Sequence, residues 1–240
     1  MDQIESAVTL NSYGDLAARL VFSLLRPTLT DDEVHDGCRD ALALGALCAV
    51  VRPSDLDAAV RQCEGTSLVT ASAVGGAHGL STTAVKIYET RDLLRRGARE
   101  IVLTVNIGKL VSRQFQYIES EVLQIARACH EEGARITVNL ESPYLQNDLR
   151  IIALKICKRC EVDFVQNCSE LAPSADLAAD LALFTPVLKD LCRIQAGGAI
   201  GELDAALDAC ARGAARIVTP HAARLLDQWQ ARLQAAAQTS

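Results

Sequence analysis

"LRRGAREIVLTV", Leu94 to Val105, passes from the end of an amphipathic helical pattern, across a Gly-Ala pair, straight into an aliphatic run that reads as a buried strand. A glycine at that point supplies the left-handed residue on which helices commonly stop. The same grammar returns in "LALGALCAVV" (Leu42 to Val51), "HEEGARITVNL" (His130 to Leu140) and "CARGAARIVTP" (Cys210 to Pro220), with Gly45, Gly97, Gly133 and Gly213 as the stops. A repeated helix-Gly-strand unit implies parallel strands joined by helical crossovers. Further strands read near Leu20 to Ser23, Ser67 to Ala73, Val162 to Gln166 and Cys192 to Ala196. About eight β/α units in ~250 residues is the usual size of a TIM barrel, with a doubly wound sheet as the competitor. No linker divides the 240 residues, so the expectation is one (β/α)8 domain over 1–240, with an N-terminal arm over 1–17 and a C-terminal helix over about 221–236.

A 50% hydrophobic content with only 4% aromatics suits an aliphatic α/β core. The net charge of −6, with no clustered Lys/Arg stripe, leaves no electrostatic footprint for nucleic acid or an anionic membrane, and small molecules become the expected partners. The stretch "MDQIESAVTLNSYG" has neither a basic nor an apolar leader region, and no apolar run reaches the ~18 residues of a membrane span. A cytoplasmic protein is expected, and a homodimer is left open. The 9 cysteines fall mostly in apolar or helical stretches, as reduced intracellular cysteines do. Cys157 and Cys160 in "CKRC" have the spacing of a metal or redox pair but sit late in a helical pattern without a second pair, so they read as helix cysteines and no metal or cofactor is expected.

Chemistry in such a barrel belongs at the C-terminal ends of its strands. Alternation then selects the lumen residues: Thr104 with Asn106, Thr137 with Asn139 and Glu141, and Gln166 with Cys168, while Gln195 and Thr219 end the last two strands. The expected lumen is polar but nearly uncharged, with Glu141 its only carboxylate.

The segments "LVFSLLRPTLTDDEV" (Leu20 to Val34), "VGGAHGLSTTAVKIYE" (Val74 to Glu89), "EIVLTVNIGKL" (Glu100 to Leu110), "ITVNLES" (Ile136 to Ser142), "VDFVQNCSE" (Val162 to Glu170) and "QAGGAIGELDAAL" (Gln195 to Leu207) resemble the deoxyribose-phosphate aldolase (DeoC) family in order and spacing, from about residue 18 to 222. The resemblance implies a (β/α)8 barrel with a small carbonyl compound in its mouth. It also implies class I chemistry: a strand-six lysine forms a Schiff base, a strand-seven lysine lowers its pKa, and a strand-four aspartate handles protons. An amine is the side chain that condenses with a carbonyl to an iminium, and it must be deprotonated to attack. In this sequence those three positions hold Gln166, Gln195 and Val102. An amide nitrogen cannot replace the amine because its lone pair is delocalised.

Of the 5 lysines, Lys86, Lys155, Lys158 and Lys189 read as solvated charges in helices or before a strand, and Lys109 as a loop charge near the mouth. Where the family has a Gly-Gly turn and a Gly-Thr-Ser-Ser-Gly-like loop to bind phosphate through free N–H groups, this chain has "GAIG" (Gly198 to Gly201) and "VTPHAA" (Val218 to Ala223). Pro220 removes one N–H and Ala199 adds a Cβ, which argues against deoxyribose 5-phosphate as the substrate. Val21, Phe22 and Ser23 replace the family's Asp-His-Thr.

The candidate catalytic set is Glu141, Gln166, Gln195 and Asn139, with Glu141 the acid–base group, its pKa raised by desolvation in a neutral lumen. Asn106, Thr104, Thr137, Cys168, Ser23 and His221 are the candidate substrate-binding residues. His78 is a further loop histidine with reach to the mouth, whereas His35 and His130 read as helix-surface residues. The expected function is a repurposed enzyme acting on a small carbonyl-containing metabolite without an iminium. A non-catalytic barrel that binds a small ligand or a protein partner is the alternative.

Overall fold

The computed structural model describes residues 10–198 and 200–238. Of the expected N-terminal arm, residues 1–9 lie outside the described residues, and Tyr13–Ala17 form a short helix, α1, capped by Ser12. Eight parallel strands close into a barrel in sequence order: β1 (Leu20–Leu24), β2 (Cys48–Val51), β3 (Val69–Val74), β4 (Glu100–Thr104), β5 (Arg135–Asn139), β6 (Phe164–Gln166), β7 (Arg193–Ala196) and β8 (Ala214–Thr219). Closure is made by β1 pairing with β8, Leu20 opposite Ile217. Around the barrel run α2 (Asp31–Ala43), α3 (Leu56–Cys63), α4 (Thr83–Arg95), α5 (Ile107–Val111), α6 (Phe115–Glu131), α7 (Asn147–Arg159), α8 (Leu177–Leu188), α9 (Leu203–Ala211) and α10 (Ala222–Gln238).

The Gly-Ala junctions work as the sequence implies. Gly97 has φ +105° and a Cβ there would lie 2.9 Å from Val60 Cγ1, so glycine is required both by conformation and by space. The Ala98 N–H donates to the Leu93 carbonyl at 3.0 Å, the back-bonded helix end that turns α4 into β4. Gly45, Gly133 and Gly213 also have positive φ after α2, α6 and α9.

Alternation divides the core into two shells. One face of the strands packs on the helices, as Leu103, Val138 and Val165 do in the larger cluster. The other face fills the lumen with Val21, Cys48, Val50, Ala71, Val102 and Val218. The floor of that lumen is ionic. Arg216 on β8 donates to Glu100 Oε2 (3.0 Å) and Thr137 Oγ1 (2.8 Å), pairs also with Glu100 Oε1, and lies 3.5 Å over the centre of the Phe164 ring. Glu141 is therefore not the only lumen carboxylate. Glu100 shares the inward parity of Val102 and Thr104, and the pairing that makes its burial tolerable comes from β8, across the barrel.

Lys86 is a second correction. It is fully buried in place of the solvated helix charge expected, with Nζ 2.8 Å from Glu121 Oε1 and 2.9 Å from the Thr104 carbonyl. Packing of α4 against α6 supplies the counter-ion. Burial pulls the Lys86 pKa down while Glu121 opposes it. No helix among the described residues is long and apolar enough to cross a membrane.

Candidate active site

A cavity of about 210 Å³ opens at the C-terminal ends of the strands. Ser23, Thr104, Asn139, Glu141 and Gln166 line it, so five of the ten residues chosen from the sequence share one site.

Glu141 follows β5 with φ +49°, a left-handed conformation that costs a non-glycine residue about 1 kcal/mol or more. Its carboxylate accepts from Asn139 Nδ2 (2.9 Å), the Ser169 N–H (3.0 Å) and Ser169 Oγ (2.6 Å). It is thus well supplied with hydrogen-bond donors. It is tied by neutral donors to the loop after β6, and Ser169 lines the cavity beside it.

The two glutamines form a chain. Gln195 Nε2 donates to Gln166 Oε1 at 2.6 Å, and Gln166 Nε2 donates to the Cys168 carbonyl at 2.7 Å. Gln195 therefore stands behind Gln166, buried, and does not line the cavity.

The other sequence candidates lie elsewhere. Thr137 belongs to the ionic floor, donating to Glu100 at 2.7 Å. Asn106 caps α5, accepting from the Lys109 N–H at 3.0 Å, because the backbone turns into the helix where strand alternation was extended too far. The Cys168 thiol is buried, accepts from Asn167 Nδ2 at 3.5 Å, and is pushed up to about 12 by burial and by the charges of Glu141 and Asp180, the opposite of an activated nucleophile. His221 follows β8 with its N–H on Thr219 Oγ1 (3.1 Å), and His78 packs edge-on against Tyr144 with ring centres 5.2 Å apart. Neither histidine lines the cavity, and neither does Lys109, whose Nζ lies 5.4 Å from the Tyr117 ring centre.

Three charged lining residues escaped the sequence reading. Arg52 directly follows β2, and a polar residue past a strand end was a usable signal. Glu170 sits two residues beyond Cys168, where the strand rule no longer says which way a side chain points. Glu89 reaches the cavity from α4, where no strand rule applies; its Oε2 accepts the Gly75 N–H at 3.0 Å. Neither oxygen of Glu170 has a hydrogen-bond partner of good geometry, although both are buried. Burial pushes its pKa up, and the nearby Ser23 hydroxyl and the charge of Arg26 oppose that push.

Two backbone donors in and beside the segments implied in phosphate binding are committed internally. The Gly197 N–H donates to Asn167 Oδ1 at 2.7 Å, and that of His221 is on Thr219. Ala199 lies outside the described residues. Among the described residues no lysine lines the cavity, no three His, Cys, Asp or Glu side chains are close enough to hold a metal ion, and the described cysteines, Cys157 and Cys160 included, are free and buried.

No family model matches the chain. It is similar to the deoxyribose-phosphate aldolase of Rhodopirellula baltica, 27% identical over 216 residues that cover 90% of each protein. The deoxyribose-phosphate aldolase of Methanothermobacter thermautotrophicus is 28% identical over 224 residues, 93% of this chain and 99% of that one. Among solved structures, that of a tetrameric deoxyribose-phosphate aldolase from Aeropyrum pernix superposes with a TM-score of 0.85 at 25% identity, covering 93% of this chain and 94% of the other. The chain is thus similar to deoxyribose-phosphate aldolases over most of its length and has the same barrel.

Proposed function

We propose that this protein is a repurposed aldolase-like enzyme, acting on a small carbonyl compound by acid–base and hydrogen-bond catalysis without a lysine Schiff base. The observation that carries the reading is the cavity wall. Gln166 stands in it where the resemblance calls for the reactive lysine, no amine among the described residues lines it, and three carboxylates, three hydroxyls and two amides remain.

In this reading Gln166 donates a hydrogen bond to the carbonyl oxygen, stabilising the charge that gathers there as a proton leaves the adjacent carbon, while Asn139, whose Nδ2 is engaged by Glu141 and Thr104, positions the carboxylate. Glu141 takes that proton, directly or through Ser169 Oγ, and its left-handed backbone and Asn139 contact hold it in place. Addition, elimination and cyclisation of a carbonyl compound all begin from such a step. Deoxyribose 5-phosphate does not fit, because it needs both the amine and the free backbone donors.

The test is deuterium exchange at the α-carbon of hydroxyacetone in D2O, followed by proton NMR, together with borohydride trapping. Exchange above the buffer rate without a borohydride-fixed adduct is expected. An adduct mapped to a lysine, Lys109 above all, would refute the reading. A second reading, a barrel that binds without transforming, is favoured by the closed Gln195–Gln166–Cys168 chain, in which the amides satisfy one another. It predicts binding with no exchange.

A further inference from the structure

Glu89, Glu141 and Glu170 line the cavity with Arg52 as the one cation among them. Arg52 is already engaged, its Nε 2.5 Å from Asp55 Oδ2 and its Nη1 2.9 Å from the Leu29 carbonyl. None of the ion pairs among the described residues involves the three cavity carboxylates. Elsewhere this protein pairs its buried carboxylates with cations: Glu121 with Lys86, Asp180 with Arg150, Glu100 with Arg216.

The three carboxylates differ in what they still need. Glu141 is satisfied by Asn139 and Ser169, and Glu89 has the Gly75 N–H. Glu170 has both oxygens buried without a hydrogen bond of good geometry and without an ion pair, the Ser23 hydroxyl and the charge of Arg26 being its nearest support, which is costly for a carboxylate unless something else supplies donors and charge. It is not loose, because its neighbour Ser169 is fastened to Glu141 twice. Leu25, Pro53 and Val218 add an apolar share to the lining of the same cavity. Among the described residues no three His, Cys, Asp or Glu side chains converge to hold a metal ion here.

We propose that the ligand of this cavity carries a basic nitrogen, its ammonium received by the carboxylate of Glu170. This rests on the reading of the cavity as a small-carbonyl site and adds the substrate class: an unphosphorylated amino-aldehyde or amino-ketone. At about 210 Å³ the space equals roughly seven water volumes of ~30 Å³, room for a small ligand. Three unpaired carboxylates repel a phosphate ester and concentrate small cations in the mouth.

The experiment uses three probes of similar size and different charge: aminoacetone, hydroxyacetone and dihydroxyacetone phosphate, with affinities measured by calorimetry or ligand-observed NMR at pH 7. The wild type is expected to bind aminoacetone at least about 10-fold tighter than hydroxyacetone, with an advantage that shrinks as salt is raised, and to bind the phosphate ester weakest. Glu170→Gln, nearly isosteric, is expected to bring the aminoacetone-to-hydroxyacetone ratio close to one. Equal wild-type affinity for the amine and the alcohol, preference for the phosphate ester, or an unchanged ratio in Glu170→Gln would each overturn the proposal and leave the carbonyl reading standing. Failure of all three probes to bind would remove both.

Discussion

Replacing Gln166 by lysine alone puts an amine at the cavity wall, and the structure gives reason to expect that it will not work as an aldolase. The neighbour that would lower its pKa is absent: the side chain touching Gln166 is the neutral Gln195, at 2.6 Å. The charges that share the cavity, Glu141 and Glu170, would stabilise an ammonium. A lysine at its ordinary pKa of ~10.4 is only about 0.1% neutral at pH 7.5, so attack on a carbonyl loses roughly 10³ relative to a fully deprotonated amine. Gln166→Lys with Gln195→Lys places two cations within contact distance, and a shift of ~1–3 units would return about 10–10³ of that loss. The assay is borohydride trapping with acetaldehyde, read by intact mass between pH 7 and 10. Expected are no appreciable adduct for the single variant at pH 7.5, growth of the adduct as pH rises toward 10, and a profile displaced to lower pH in the double variant. Full trapping by the single variant at pH 7.5 would refute the reasoning, since it would mean that other parts of the cavity lower the amine's pKa unaided.

Glu141→Gln should lower hydroxyacetone α-deuterium exchange by 10²–10⁴, the usual range for removing a general acid–base group, and unchanged exchange in proton NMR would exclude Glu141 as that group. Glu100→Gln leaves Arg216 buried without its counter-charge and should cost about 3–5 kcal/mol, or ~6–20 °C in Tm for a chain of this size, measured by thermal unfolding. The apolar pair Glu100→Leu with Arg216→Met should recover much of that loss, and a double variant as unstable as the single would contradict the account of the floor. For Glu170 the sign runs the other way from a salt-bridged acid: its folded pKa is raised by burial, so the folded state favours the protonated form. The stability from that preference is complete below the ordinary glutamate value of ~4.3 and is lost as pH climbs through the raised folded value. Glu170→Gln, which cannot ionise, should therefore be more stable than wild type at pH 7 and show a flatter Tm profile from pH 4 upward.

The fold was legible because each Gly-Ala junction carries its own local instruction, and four copies of the same instruction leave few arrangements of parallel strands. The site was legible only as far as strand alternation reaches. Asn139 and Gln166 end strands, and their parity held. Asn106 failed because Val105 is where β4 gives way to the cap of α5. Glu170 failed for a related reason: past Gln166 the chain is a loop, and what aims that loop is the carboxylate of Glu141, 28 residues away in the chain. The ionic floor was hidden more deeply, since Arg216 and Glu100 are 116 residues apart and meet only once β8 has closed on β1.

The glutamine pair shows what a residue type can and cannot tell. From the sequence, two amides at the end of β6 and β7 could have been inert partners or ligand-binding groups. Each amide has two N–H donors and an oxygen with two acceptor sites. In Gln166 one N–H is spent on the Cys168 carbonyl and one acceptor site on Gln195. One donor and one acceptor remain on a side chain that lines the cavity. The contacts that look like self-satisfaction therefore also fix the orientation of the amide, because a donor from Gln195 and an acceptor from Cys168 allow only one assignment of its oxygen and nitrogen. In the proposed reading Gln166 is in this way a hydrogen-bond donor held in one orientation for a carbonyl, and the cost of that arrangement is visible one residue deeper. Gln195 Oε1 is buried with no partner at all, a loss of about 1–3 kcal/mol that an inert core would have little reason to carry.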